Sequence, residues 1–239
     1  MRKRLDYAIS SSTKPSQNQV VSDLGKESIL SGFNQVNDFI DSDIGFEKSS
    51  CKHILLLYEE AEPAMKIKLR YLKSRLQKGE RCACLVCGDG AAVNENIRAE
   101  MAGNEIDVDP LEKTGQLRIV TISDPRSAIR DYNPENADGI LQTLLDKIWE
   151  GAAPPSAGFG IVASKDDLIK PERLALQIEL ERLSNIITQS SNTRTWMCPY
   201  HVDNIAESLD REWVLQLLLN HDSVIYVPKN SNGIALKLS

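Results

Sequence analysis

The sequence predicts an α/β fold: a mostly parallel central sheet with helices on both faces, in three layers. Three observations predict it. Short apolar runs alternate with longer segments whose apolar residues recur every three or four positions, and the alternation holds from residue 52 to the end. The apolar runs are continuous, as in strands buried on both faces. Residues 52–88 read as strand, short acidic turn, basic amphipathic helix and strand, the opening βαβ unit of such a domain.

Each element follows from local pattern. Residues 1–25 are rich in Ser, Thr, Gln and Asn and predict a flexible N-terminal arm. Residues 26–50 predict a helix and linker, with Ile29, Leu30, Phe33, Val36 and Ile40 on one face. That helix either caps the domain or serves a dimer or partner. Residues 51–239 form the α/β domain. The first strand is 53–58. The helix 63–78 buries Met65, Leu69, Leu72 and Leu76, and Gly79 stops it. A strand at 81–87, a helix at 90–103, a short turn at 110–114 and a strand at 117–122 follow. A polar loop covers 123–135. The helix 136–150 carries Ile140, Leu141, Leu144, Leu145, Ile148 and Trp149, and the Pro-containing loop 151–158 ends it. The fourth strand is 159–163. The helix 171–189 buries Leu176, Leu180, Leu183 and Ile187. The fifth strand is 195–198, and a helix at 203–220 follows. The strand 223–227 and a further candidate at 233–238 close the chain.

Composition narrows the function. Net charge is −6 and pI about 5.2, so bulk electrostatics favour neither direct nucleic-acid binding nor an anionic membrane surface. No stretch approaches the roughly 20 apolar residues that span a bilayer. The N-terminus has no apolar core of a secretory signal. Five cysteines in apolar runs suit a reducing cytoplasm. Cys82 and Cys84 alternate with Cys87 across the second strand, so their thiols cannot converge on a metal without distortion; no metal and no cofactor are expected. Lys66, Lys68, Arg70, Lys73, Arg75, Lys78 and Arg81 form a basic stripe, whose commoner role is a solvated face balanced by acids.

Right-handed crossovers put the strand C-termini on one edge, where ligands of such folds bind. The candidate ligand-binding residues on that edge are Tyr58, Glu59, Glu60, Cys87, Asp89, Asp124, Ser164, Tyr200 and His201. The first turn, Glu59-Glu60-Ala61-Glu62-Pro63, is where a phosphate-binding domain places its Gly-rich cradle. Here it has no Gly, Lys, Ser or Thr and carries three carboxylates that repel phosphate. Without a phosphate-binding Lys and hydroxyl, Asp124 has no Mg-nucleotide site to complete. Cys198 and His201 lack a visible third group for nucleophilic catalysis, so no catalytic residue is named. His53 starts its strand at the opposite edge and reads as structural. Cys87 and Cys198 form a redox pair only if their strands are neighbours.

Several segments together carry a resemblance. They are His53 opening a strand that ends in Tyr58-Glu59; Gly79-Glu80-Arg81-Cys82; Thr114-Gly115-Gln116-Leu117; Gly158-Phe159-Gly160; a helix with Glu179 or Glu181; Cys198-Pro199-Tyr200; and Asn220-His221-Asp222. In this order they resemble the MEDS family, the methanogen/methylotroph DcmR sensory domain, over about residues 52–227. His201 stands where the family usually has an acid, and the first 50 residues fall outside the resemblance. The resemblance implies a RecA/KaiC-like ATPase fold with its P-loop lost. It also implies sensing of small molecules, often hydrocarbon derivatives, in transcription regulators and signalling kinases. The expected function is therefore a non-enzymatic sensory domain. It has an unknown small-molecule ligand, a protein partner such as a regulator or kinase, and the option of a homodimer. The alternatives are an ATP-binding or ATPase protein with an unorthodox phosphate site, and an interaction scaffold without a small ligand.

Overall fold

A computed structural model describes residues 36–43, 52–87, 90–122, 146, 148–149, 158–164, 174–189, 194–208, 211–229 and 233–238. Among the described residues seven strands form one sheet: β1 (His53–Tyr58), β2 (Arg81–Cys87), β3 (Leu117–Ile122), β4 (Phe159–Ala163), β5 (Arg194–His201), β6 (Ser223–Val227) and β7 (Ile234–Lys237). Their order is β3-β2-β4-β5-β1-β6-β7. The first six pair in parallel, and β7 closes the edge antiparallel to β6. The helices are α1 (Ala61–Gln77), α2 (Gly90–Gly103), α3 (Val108–Lys113), α4 (Leu174–Gln189), α5 (Val202–Ser208) and α6 (Arg211–Leu219). The expected α/β sheet with helices on both faces is what the chain forms.

Strand residues alternate between two cores, as the pleat requires. Ile54, Leu56, Cys82, Cys84, Val162 and Met197 pack with Ile67 and Leu72 of α1, Met101 of α2 and Val108 of α3. Val36, Phe39 and Ile40 join that same core, which suits a capping role for this stretch. Leu55, Ala83, Leu85, Ile161, Cys198 and Tyr200 face the other way, onto Ile187 of α4 and Trp213 and Leu217 of α6. Ile148 and Trp149, from the expected helix 136–150, are buried there too; the rest of that segment, apart from Asp146, lies outside the described residues, as do 1–35 and 123–135.

Several boundaries differ from the sequence expectation, each for a local reason. Helix α1 starts two residues early, because Pro63 falls in its first turn, where the missing N–H has no intrahelical partner to lose. Gly79 follows α1 at φ 77°, and its N–H reaches Leu76 O at 3.0 Å, the expected stop. The turn at 110–114 is the end of the short helix α3. Strand β5 does not stop at Cys198 but continues to His201. Pro199 is tolerated because β4 pairs with β5 only as far as Met197, so the flank that lacks an N–H has no strand partner there. The segment 203–220 holds two helices, α5 and α6.

Candidate functional site

At the C-terminal edge, β1 and β5 bring Tyr58 and His201 side by side in register. Their rings meet edge to face at 5.2 Å. His201 is fixed at both nitrogens: the Asp203 N–H approaches Nδ1 at 3.3 Å, and Nε2 contacts the Glu59 carbonyl at 3.1 Å. With an N–H donating to Nδ1, the ring proton sits on Nε2 and donates to that carbonyl.

Glu59 turns back onto β6. Its carboxylate accepts from the Tyr226 hydroxyl and from the Lys229 N–H at 2.8 Å. These two donors hold the Glu59 carboxyl below the usual carboxylate range, and the same bond pushes the Tyr226 hydroxyl up. Glu60 caps α1 without a side-chain hydrogen bond to the helix and lies 3.9 Å from Lys229 Nζ. Glu62 sits in the first helical turn. Where a phosphate cradle would present bare N–H groups, this edge presents carboxylates that already have cationic or N–H neighbours.

The structure thus gathers Tyr58, Glu59, Glu60 and His201. Ser164 follows β4, half-buried, with its N–H on Leu85 O at 3.0 Å. Cys87 ends β2 at this edge; its side chain lies outside the described residues, as do Asp89 and Asp124. Tyr200 does not join the group. It neighbours His201 in sequence, so the pleat turns it to the opposite face, where it is fully buried. Strands β2 and β5 are separated by β4, and Cys198 pairs with Leu55 in mid-strand, so the premise of a Cys87–Cys198 redox pair fails. Cys82 and Cys84 are buried free thiols, and burial pushes Cys84 up to about 11 and Cys82 further.

Beneath α4 lies a second polar group that the sequence reading did not assemble. His53, Glu181, Cys198 and His221 are all buried, and one ligand-type atom of each lies within 4.8 Å of the others. Each comes from a different element: the start of β1, α4, mid-β5 and the turn before β6. The two imidazoles stack at 3.9 Å. Glu181 Oε2 is 3.2 Å from His53 Nε2 and 3.3 Å from His221 Nε2, and His53 Nε2 is 3.3 Å from Cys198 Sγ. Glu181 Oε1 is held by the Tyr200 hydroxyl and by Gln177 Nε2 at 2.9 Å. The sequence predicts a structural His53 and a Cys198 at the end of the fifth strand, with nothing to bring the two together. One signal was available: these four residues belong to the motifs that carry the family resemblance.

The basic stripe of α1 has partners. Lys66 pairs with Glu62 at 2.8 Å, Lys73 with Glu105 at 2.6 Å, and Arg70 with Asp41. Arg75 faces Glu80 at 3.2 Å inside the protein, where burial raises the Glu80 carboxyl and Arg75 opposes the rise.

Among solved structures, a KaiC-like protein, PH0186 of Pyrococcus horikoshii OT3, is similar at 18% identity and TM-score 0.48. The match covers 78% of this chain and 77% of that one. The flagellar accessory protein FlaH of Methanocaldococcus jannaschii is similar at 12% identity and TM-score 0.46, over 73% and 70% of the two chains. No curated protein matches the sequence. The model of one family, MEDS (MEthanogen/methylotroph, DcmR Sensory domain), matches residues 52–222, most of the chain and all four buried ligand-type side chains. The chain belongs to the MEDS family.

Proposed function

We propose that this chain is a non-enzymatic small-molecule sensory domain that acts through a protein partner in transcriptional or signal-transduction regulation. The observation that carries the reading is the first β-to-α turn. Glu59 is spent on Tyr226 and Lys229, Glu60 and Glu62 occupy the start of α1, and nothing in the turn offers a phosphate a cationic or Gly-lined seat. Membership of a family named for sensing supports it. The ligand site of this reading is the strand ends, where the Tyr58 and His201 rings, the latter held at both nitrogens, offer an aromatic wall to a small organic molecule. Its differential affinity for two arrangements of the edge loops supplies the signal. Free buried thiols fit work in a reducing compartment.

A thermal-shift panel tests this. Magnesium with ATP, ADP or GTP is set against small alcohols, amines and other hydrocarbon derivatives. A ligand at 100 times its Kd adds roughly 2.7 kcal/mol, a rise of about 5–10 °C for a chain of this size. Stabilisation by a small organic molecule, weakened in His201→Ala, is the expected result. A saturable rise with Mg-nucleotide alone overturns the reading.

A further inference from the structure

The group His53, Glu181, Cys198 and His221 has a shortage of hydrogens. His53 Nδ1 contacts Asn220 O, and His221 Nδ1 contacts Leu217 O at 2.6 Å. A carbonyl only accepts, so each ring carries its proton on Nδ1, and each Nε2 of a neutral ring is a bare lone pair. Both lone pairs face Glu181 Oε2, and His53 Nε2 also faces Cys198 Sγ. His221 Nε2 is buried and makes no hydrogen bond. Two nitrogens, a carboxylate oxygen and a sulfur therefore converge as electron-pair donors in the interior.

We propose that these four residues bind a divalent transition metal of the zinc type. Nitrogen, sulfur and carboxylate oxygen are the donors zinc takes, and four protein ligands make a closed structural site. Bonds of about 2.0–2.3 Å in a tetrahedron separate the donors by roughly 3.3–3.8 Å. Three of the donor separations, 3.2, 3.3 and 3.3 Å, lie at that edge length, and every pair lies within 4.8 Å. A thiolate and a carboxylate neutralise a divalent ion, so the loaded group buries no net charge. The supports around the ligands are those a metal site needs: the two backbone carbonyls fix both rings, and Tyr200 and Gln177 orient Glu181 through its other oxygen. The competing arrangement uses protons. They sit either on Glu181 and Cys198 or on a histidine Nε2 paired as imidazolium with Glu181, and the metal displaces them on binding. The site lies under α4, within the core, and is independent of the ligand reading at the strand ends.

The test uses the full chain, refolded under reducing conditions with zinc or with cobalt(II), then dialysed. About one equivalent of metal per chain is expected by elemental analysis. The cobalt form should show a thiolate-to-cobalt charge-transfer band. Cys198→Ser should lose that band, and His221→Gln should lower retained metal at least tenfold. Gln177→Leu touches no ligand atom directly and should weaken affinity about 10–100-fold through Glu181. A wild-type chain that refolds to the same melting temperature with and without zinc, and retains none, overturns the proposal. Equal retention by wild type and by folded Cys198→Ser/His221→Gln also overturns it, since the metal then sits elsewhere.

Discussion

At Gly160 there is room for a hydrogen and little more. A Cβ there would come within 2.8 Å of Arg75 Cγ and 3.1 Å of the Tyr71 hydroxyl, which bonds Thr195 Oγ1 at 2.6 Å. The glycine lets the Arg75 stem lie flat on the sheet and carry its charge to Glu80. Gly160→Ala should therefore destabilise by about 1–3 kcal/mol in urea melts; an unchanged midpoint would mean that Arg75 moves freely. Glu59 makes a prediction with a definite sign. Its folded pKa is below its unfolded one, first through Tyr226 and then through the Lys229 N–H. Its contribution is thus complete above the unfolded value and is lost as pH falls through the folded one. Tyr226→Phe should move the Glu59 carboxyl resonance to titrate at higher pH, nearer the ordinary range; a titration left in place removes the clamp from the account. At this scale the sequence was readable where a residue acts alone, as with Gly79. It was not where function depends on which face a strand residue takes. Tyr200 and His201 are adjacent letters, and β5 runs three residues further than expected, which sends their side chains to opposite faces of the sheet.

Helices and strands were legible in the sequence because each carries its own period, and α1 is the clearest case. Its apolar residues face the sheet while its basic ones meet Glu62, Asp41 and Glu105. Glu62 lies in the first turn of α1, but Asp41 and Glu105 lie outside that helix, so their pairing was not readable from the stripe itself. Exposed pairs of this kind contribute little. Lys66→Gln and Lys73→Gln should each shift stability by less than ~1 kcal/mol, measured by denaturant unfolding, and a larger loss would mean that the stripe is more than a solvated face. The end of β5 was the element least legible. A proline ordinarily closes a strand, and only the early end of β4 pairing leaves Pro199 a place in the sheet.

The sheet order ranks the strands of the whole molecule. Strand β1 has β5 on one side and β6 on the other, while among the described residues β7 pairs with β6 alone and exposes Ile234 and Leu236. Amide hydrogen exchange should be slowest in β1 and β5 and fastest in β7; a β7 as protected as β1 would show that its open side is covered in solution. The fold class could be read from the alternation of elements, but this strand order could not, because no local pattern records which strands become neighbours. The order also has a consequence in time. His53 opens the first strand to be made, yet its ring bonds the backbone of Asn220, 167 residues later. Strand β1 gains its two neighbours only from the fifth and sixth strands. On the ribosome it must therefore wait, with both edges unsatisfied, until nearly the whole described chain has emerged. Contacts of such separation fold slowly and leave apolar strands open to wrong partners. A stop introduced before β6 should therefore give an aggregating product with no stable smaller domain, and a soluble, folded truncation would show that β1 does not need its late neighbours.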